Sequence, residues 1–168
     1  IDETNFPDEA FRTILLEKYD VGNDGVLTDE LTGITELSVN EAGIKDLTGV
    51  EHFIGLEKLE CFGNELSSLN VSRLTSLQVL SCGKNNLSEL DVSGLTSLQT
   101  LYCFMNNLSE LDVSNLTLLQ DLQCFENNLS ELDLGEIREL RIINCGGNKL
   151  SSMDVSRLES LEILFCWG

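Results

Sequence analysis

The chain has 168 residues, 42% of them hydrophobic, which is the size of one domain at roughly 100–200 residues each and enough apolar material for a sizeable core. Ten Lys+Arg against 29 Asp+Glu leave a formal charge of −19, which opposes nucleic acid and anionic membrane surfaces as partners. Apolar runs fall far short of the ~18–20 residues that span a bilayer, and the chain opens at Ile1 without a signal sequence, as a processed or trimmed chain would.

Residues 1–33 differ in composition from everything that follows. Pro7 at a first-turn position, Asp8 and Glu9 at the positive end of the dipole, and Phe6, Ala10, Phe11, Ile14 and Leu15 at helical spacing predict a helix with one apolar face. Since the remainder is repetitive, and the first unit of a repeat array exposes its core, this segment is expected to be the amino-terminal cap. The stretch Asp20-Val-Gly22-Asn-Asp24-Gly25-Val-Leu27-Thr28-Asp-Glu30-Leu31 resembles the calcium loop of an EF-hand, with Asp20, Asp24, Gly25 and Leu27 at loop positions one, five, six and eight. Gly22 replaces the third-position ligand and Leu31 the bidentate glutamate. A vestigial loop leading into a short second helix near Gly33 is therefore expected, and no metal site is assigned.

From Ile34 onward the cysteines set the architecture. Cys61, Cys82, Cys103, Cys124, Cys145 and Cys166 are each 21 residues apart, so each holds the same place in an internal repeat. One copy reads Leu77-Gln-Val-Leu80-Ser-Cys82-Gly-Lys-Asn85-Asn-Leu87-Ser-Glu-Leu90-Asp-Val92-Ser-Gly-Leu95-Thr-Ser97. Complete repeats start at residues 34, 56, 77, 98, 119 and 140, and a truncated seventh starts at 161; the first, of 22 residues, has Val39 for the cysteine and Ala42 for the asparagine. Alternation around Leu80 and Cys82 predicts a short strand with residues 79, 81 and 83 pointing away from the buried side.

The phrase L-x-x-L-x-C-x-x-N-x-L resembles the leucine-rich repeat. That likeness implies an α/β solenoid, a right-handed superhelix of seven parallel strands with the sheet on its concave face and a small helical cap. The cysteines then form an inward column of small hydrophobes rather than disulfides, because in-register Cβ atoms lie wider apart than the ~3.8 Å a bridge prefers, and no zinc spacing is present. Asn64, Asn85, Asn106, Asn127 and Asn148 are expected to bond backbone groups where each strand leaves the sheet. A helical, EF-hand-like cap followed by repeats of 21–22 residues is similar to the internalins and related bacterial surface proteins, and this resemblance implies an exported, secreted or surface-attached recognition and adhesion module.

No catalytic constellation stands out. His52 is the only histidine and has no nucleophile in view, the cysteines point inward, and neither a cofactor nor an enzyme activity is expected. Asp91, Asp112, Asp133 and Asp154 align in a column that either caps the following turns or could hold a cation. The outward aromatics are the strongest signal. Phe62, Phe104, Phe125 and Trp167 follow the cysteine, while Tyr102 and Phe165 precede it. With Met105, Asp121, Gln123 and Asn144 they form the predicted ligand face, rimmed by Glu60 and Glu126 and interrupted by Gly83 and Gly146. A protein ligand is expected there; a glycan ligand, or a spacer role with no ligand, are the alternatives. The open seventh repeat adds an expected end-to-end homodimer.

Overall fold

The computed structural model describes residues 2–19 and 31–167, and residues 20–30 of the EF-hand-like stretch 20–31 lie outside the described residues. Among the described residues one α-helix, α1 (Glu9–Tyr19), precedes seven three-residue strands: β1 (Glu36–Ser38), β2 (Lys58–Glu60), β3 (Val79–Ser81), β4 (Thr100–Tyr102), β5 (Asp121–Gln123), β6 (Ile142–Asn144) and β7 (Ile163–Phe165). They form one parallel sheet in chain order. The predicted solenoid is therefore present. Register is unbroken: Leu37, Leu59, Leu80, Leu101, Leu122, Ile143 and Leu164 stand side by side, one per coil.

The alternation of side chains makes this stack a single core. The central strand leucine and the cysteine two residues later point inward, while the leucines of the return path close the other side. Each fully buried leucine contributes roughly 1.5–3 kcal/mol that no isolated coil could obtain. Five cysteines, Cys61, Cys82, Cys103, Cys124 and Cys145, are buried and free. Burial disfavours their thiolates and pushes Cys82 and Cys124 up to about 12. Cys166 departs from the predicted inward column: it is exposed, because no described coil stacks beyond β7.

The asparagine column does what its spacing predicts. The Asn85 side-chain amide donates to the carbonyls of Cys61 in the preceding coil and Cys82 in its own, and its oxygen accepts from the Leu66 amide. Asn106 and Asn127 repeat this pattern one coil further on each time. Asn64 serves the irregular first repeat, accepting from the Ala42 and Ile44 amides and donating to the Val39 carbonyl, so that coil needs no asparagine of its own. The corner just before each asparagine has a left-handed backbone, at Gly63, Lys84, Met105, Glu126 and Gly147, as does Glu41 before Ala42 in the first repeat. There the chain turns out of the sheet.

At the amino-terminal end α1 lays Phe11 and Leu15, both fully buried, against the first coil. The helix starts later than predicted. Asp8 is its N-cap, accepting from the Phe11 amide, and Pro7 precedes the cap instead of occupying the first turn. The other Asp8 oxygen accepts from the Lys45 amide at 2.8 Å and the Asp46 amide at 3.3 Å, tying the helix to the first repeat. Lys18 and Tyr19 add bonds to the Ser38 and Glu36 carbonyls. Phe6 packs edge-on against Phe11 and Phe53 and fills the space over Gly49, where a Cβ would sit 2.3 Å from the ring and φ is +104°. Only glycine fits there.

The concave aromatic face

Because inward residues fill the core, residues on either side of each central leucine, and the one after each cysteine, face out from the sheet. Three columns result. The first runs Lys58, Val79, Thr100, Asp121, Ile142 and Ile163; the second Glu60, Ser81, Tyr102, Gln123, Asn144 and Phe165; the third Phe62, Gly83, Phe104, Phe125, Gly146 and Trp167.

The third column is more continuous than its glycines suggest. Neighbouring parallel strands lie about 4.8 Å apart, so rings on β2 and β4 would normally be about 10 Å apart. Phe104 instead leans back over Gly83, whose hypothetical Cβ would lie 2.9 Å from the ring tip, and its centroid comes within 5.8 Å of Phe62. Phe125 follows at 4.6 Å, nearly parallel at 4°. The expected interruption at Gly83 is thus corrected: the missing side chain is the seat that lets the ladder close. Gly146 plays the same part for Trp167, whose indole would lie 2.6 Å from a Cβ there. Lys84, not singled out from the sequence, places its ammonium 5.8 Å from the Phe62 centroid. Its left-handed corner position, shared with Met105, was the available signal.

Beside the ladder lies a polar cluster. The Tyr102 hydroxyl donates to one Asp121 oxygen at 2.8 Å, and the Gln123 amide donates to the other at 2.7 Å. Burial, then the hydrogen bond to Asp121 and its negative charge, push the Tyr102 hydroxyl up to about 12, so it remains a donor throughout the physiological range. Asn144 lies one strand further on and accepts weakly from the Gly146 amide at 3.4 Å. Met105 sits at the rim, 41% exposed, while Phe165 and Trp167 are exposed at the β7 edge, 52% and 58%. The predicted residues therefore form a central group on β4 and β5, with Phe62 joined through Phe104, and an outlying group on β7. Glu60, predicted at the rim, is paired with Lys58 at 3.1 Å.

Elsewhere the chemistry is structural. Asp91 and Asp112 each accept from the backbone amide and hydroxyl of the serine two residues on, and Asp154 accepts from the Ser156 amide; hydrogen bonding to these serines holds all three carboxyls below the usual carboxylate range. Of the two readings of this column, turn formation accounts for every member, Asp133 included, which accepts from the Gly135 amide. His52 lies against Phe6, 6.1 Å between ring centroids. Among the described residues no group of three or more His, Cys, Asp or Glu side chains is placed to hold a metal ion, and no helix is long and apolar enough to cross a membrane.

No protein-family model matches the chain. Internalin J of Listeria monocytogenes is 35% identical over 71 residues, which are 42% of this chain and 8% of that protein. The solved functional domain of the Listeria monocytogenes protein InlJ, described as including a cysteine ladder, superposes with a TM-score of 0.75 at 31% identity, over 98% of this chain and 42% of that one. The Listeria monocytogenes internalin InlF gives 0.80 at 29% identity, over 95% and 49%. A Leptospira interrogans leucine-rich-repeat protein, 22% identical with a TM-score of 0.67 over 81% of this chain and 38% of that one, shares the fold. The chain spans less than half the length of these relatives. With its parallel coils, asparagine ladder and inward cysteines, it is an internalin-like leucine-rich-repeat protein of the bacterial type.

Proposed function

We propose that the chain is a non-catalytic recognition module of a secreted or cell-surface bacterial protein, with residues 1–33 as its cap, and that it holds a protein ligand on the concave face. One observation carries this reading. The Phe62–Phe104–Phe125 ladder is built on the solvent side of a sheet whose core is already complete, so packing within the coil does not call for it. Partly exposed aromatic anchors with a polar surround are the usual makings of an interaction hot spot. Likeness to internalins supports the same role.

A glycan is the second reading, favoured by Asp121, Gln123 and Asn144 beside the rings. Screening wild-type chain against displayed protein and glycan libraries, in parallel with Phe104→Ser/Phe125→Ser, tests both. Ligands lost in the double variant support the face and identify their class; ligands bound equally by both chains overturn it. The double variant is expected to lose only about 1–3 kcal/mol of stability, since each of the two ring pairs it removes contributes about 0.5–1.5 kcal/mol. A loss of several kcal/mol would assign the rings to the fold and leave a structural spacer as the better reading.

A further inference from the structure

The charges of the concave face point to the kind of protein it would hold. Its cations are already engaged. Lys58 pairs with Glu60 at 3.1 Å and Lys84 lies against Phe62, while Arg141, just before β6, pairs with Glu162 at 2.6 Å. Asp121 and Glu126 have no cationic partner among the described residues, and residues 20–30 contain no Lys or Arg to supply one. The surplus charge on the central face is therefore carboxylate, within a chain whose formal charge is −19.

Asp121 is also prepared in a way that a surface acid is not. Tyr102 and Gln123 hold one oxygen each, so the half-buried carboxylate is fixed before any ligand arrives, and about two of its roughly four acceptor positions stay open. Along β5 the order is Asp121, Gln123, Phe125, Glu126, with Tyr102 and Phe104 in register alongside. At about 3.3 Å per residue, Asp121 lies about 13 Å from the stacked rings, with an acid beyond them at the corner. The pattern across β4 and β5 is acid, aromatic stack, acid.

We infer that the occupant is a basic protein segment, with an arginine or lysine on Asp121, an apolar side chain against the Phe104–Phe125 stack and a second cation towards Glu126. Arginine suits Asp121 best, because a planar fork can use both open acceptor positions at once. The net charge of the chain steers such a partner in and repels acidic proteins and polyanionic glycans. This inference rests on the aromatic face being the ligand face and specifies the chemistry of its partner.

The test is an NMR titration of the isotope-labelled chain with the peptide acetyl-Arg-Gly-Phe-Gly-Arg-amide and its charge-reversed counterpart acetyl-Glu-Gly-Phe-Gly-Glu-amide. The basic peptide should shift amides in 100–105 and 121–126 with millimolar affinity. Asp121→Asn should weaken it about fivefold, as for one solvent-accessible ion pair lost, and added salt should weaken it similarly. The acidic peptide should leave these amides unmoved. Equal response to both peptides, or an unchanged affinity in Asp121→Asn, overturns the basic partner while leaving the aromatic face intact. Silence of these residues towards both peptides overturns the inference together with the face.

Discussion

The two sides of the same seven strands obey different rules. Inward, the columns are nearly uniform: a leucine or isoleucine in every strand, a cysteine in six coils and an asparagine in five. Outward, each column changes from coil to coil, from Lys58 to Asp121 in one and from Gly83 to Phe125 in another. Stacking explains the contrast. An inward residue has a copy of its own coil above and below it, so the same volume and the same hydrogen bonds are required at every step. An outward residue meets water and whatever binds there, and nothing in the stack demands that it repeat.

The sharpest break of this comparison is chemical access. Thiol labelling of the native protein should be fast at Cys166 and slower by three or more orders of magnitude at the other five, because those must wait for opening of the coil and their thiols stay protonated near neutral pH. Fast labelling of several thiols, counted by mass spectrometry, would remove the inward column from the argument.

Next in size is Asn106→Ala, which leaves the Leu87 amide without a partner inside the coil and removes one of the two asparagine donors from each of the Cys82 and Cys103 carbonyls, which Asn85 and Asn127 still serve. It should cost about 2–4 kcal/mol in chemical denaturation, from roughly 1–3 kcal/mol for the buried amide left unpaired and the smaller loss of two shared hydrogen bonds.

The smallest effect is at the capped end, where α1 covers the open inward face. Burial tends to raise the Asp8 carboxyl, but the amides of Lys45, Phe11 and Asp46 that donate to it prevail and hold it below the usual carboxylate range. The native state therefore binds this proton more weakly than the unfolded chain. Its stabilisation is present above the unfolded value of about 3.9 and is lost as the pH falls through the lower folded value. Asp8→Ala should cost about 1–2 kcal/mol at neutral pH, and the difference from wild type should shrink in acid. A difference independent of pH down to the acid transition would show that the charged form of Asp8 is not what ties the helix to the first repeat.

The solenoid was legible because its cause is periodic. Six cysteines at one spacing fix the places that Leu80, Cys82 and Asn85 hold in the repeat, and the alternation on either side of Leu80 says which residues face out. The aromatic face was legible only as a set of outward residues. That Phe104 reaches Phe62 across an intervening coil depends on a ring leaning into the space left by Gly83, and a one-letter pattern treats that glycine as a gap. The Tyr102–Asp121–Gln123 cluster likewise needs a hydroxyl on β4 to reach a carboxylate on β5, 19 residues later in the chain.

What the sequence by itself determined is whatever recurs at the repeat length: the number of coils, the parallel register, the buried columns and the asparagine ladder, because each coil sees the same neighbours. What only the tertiary structure decided lies where that sameness fails. At the amino-terminal end Asp8, not a helix turn at Pro7, joins α1 to the first repeat; at β7 the last cysteine, unlike the other five, is exposed. On the concave face the rotamers of single rings decide which outward residues become one surface. Those outcomes depend on contacts made once, between residues 19 to 42 positions apart, and a repeating pattern carries no information about a contact that does not repeat.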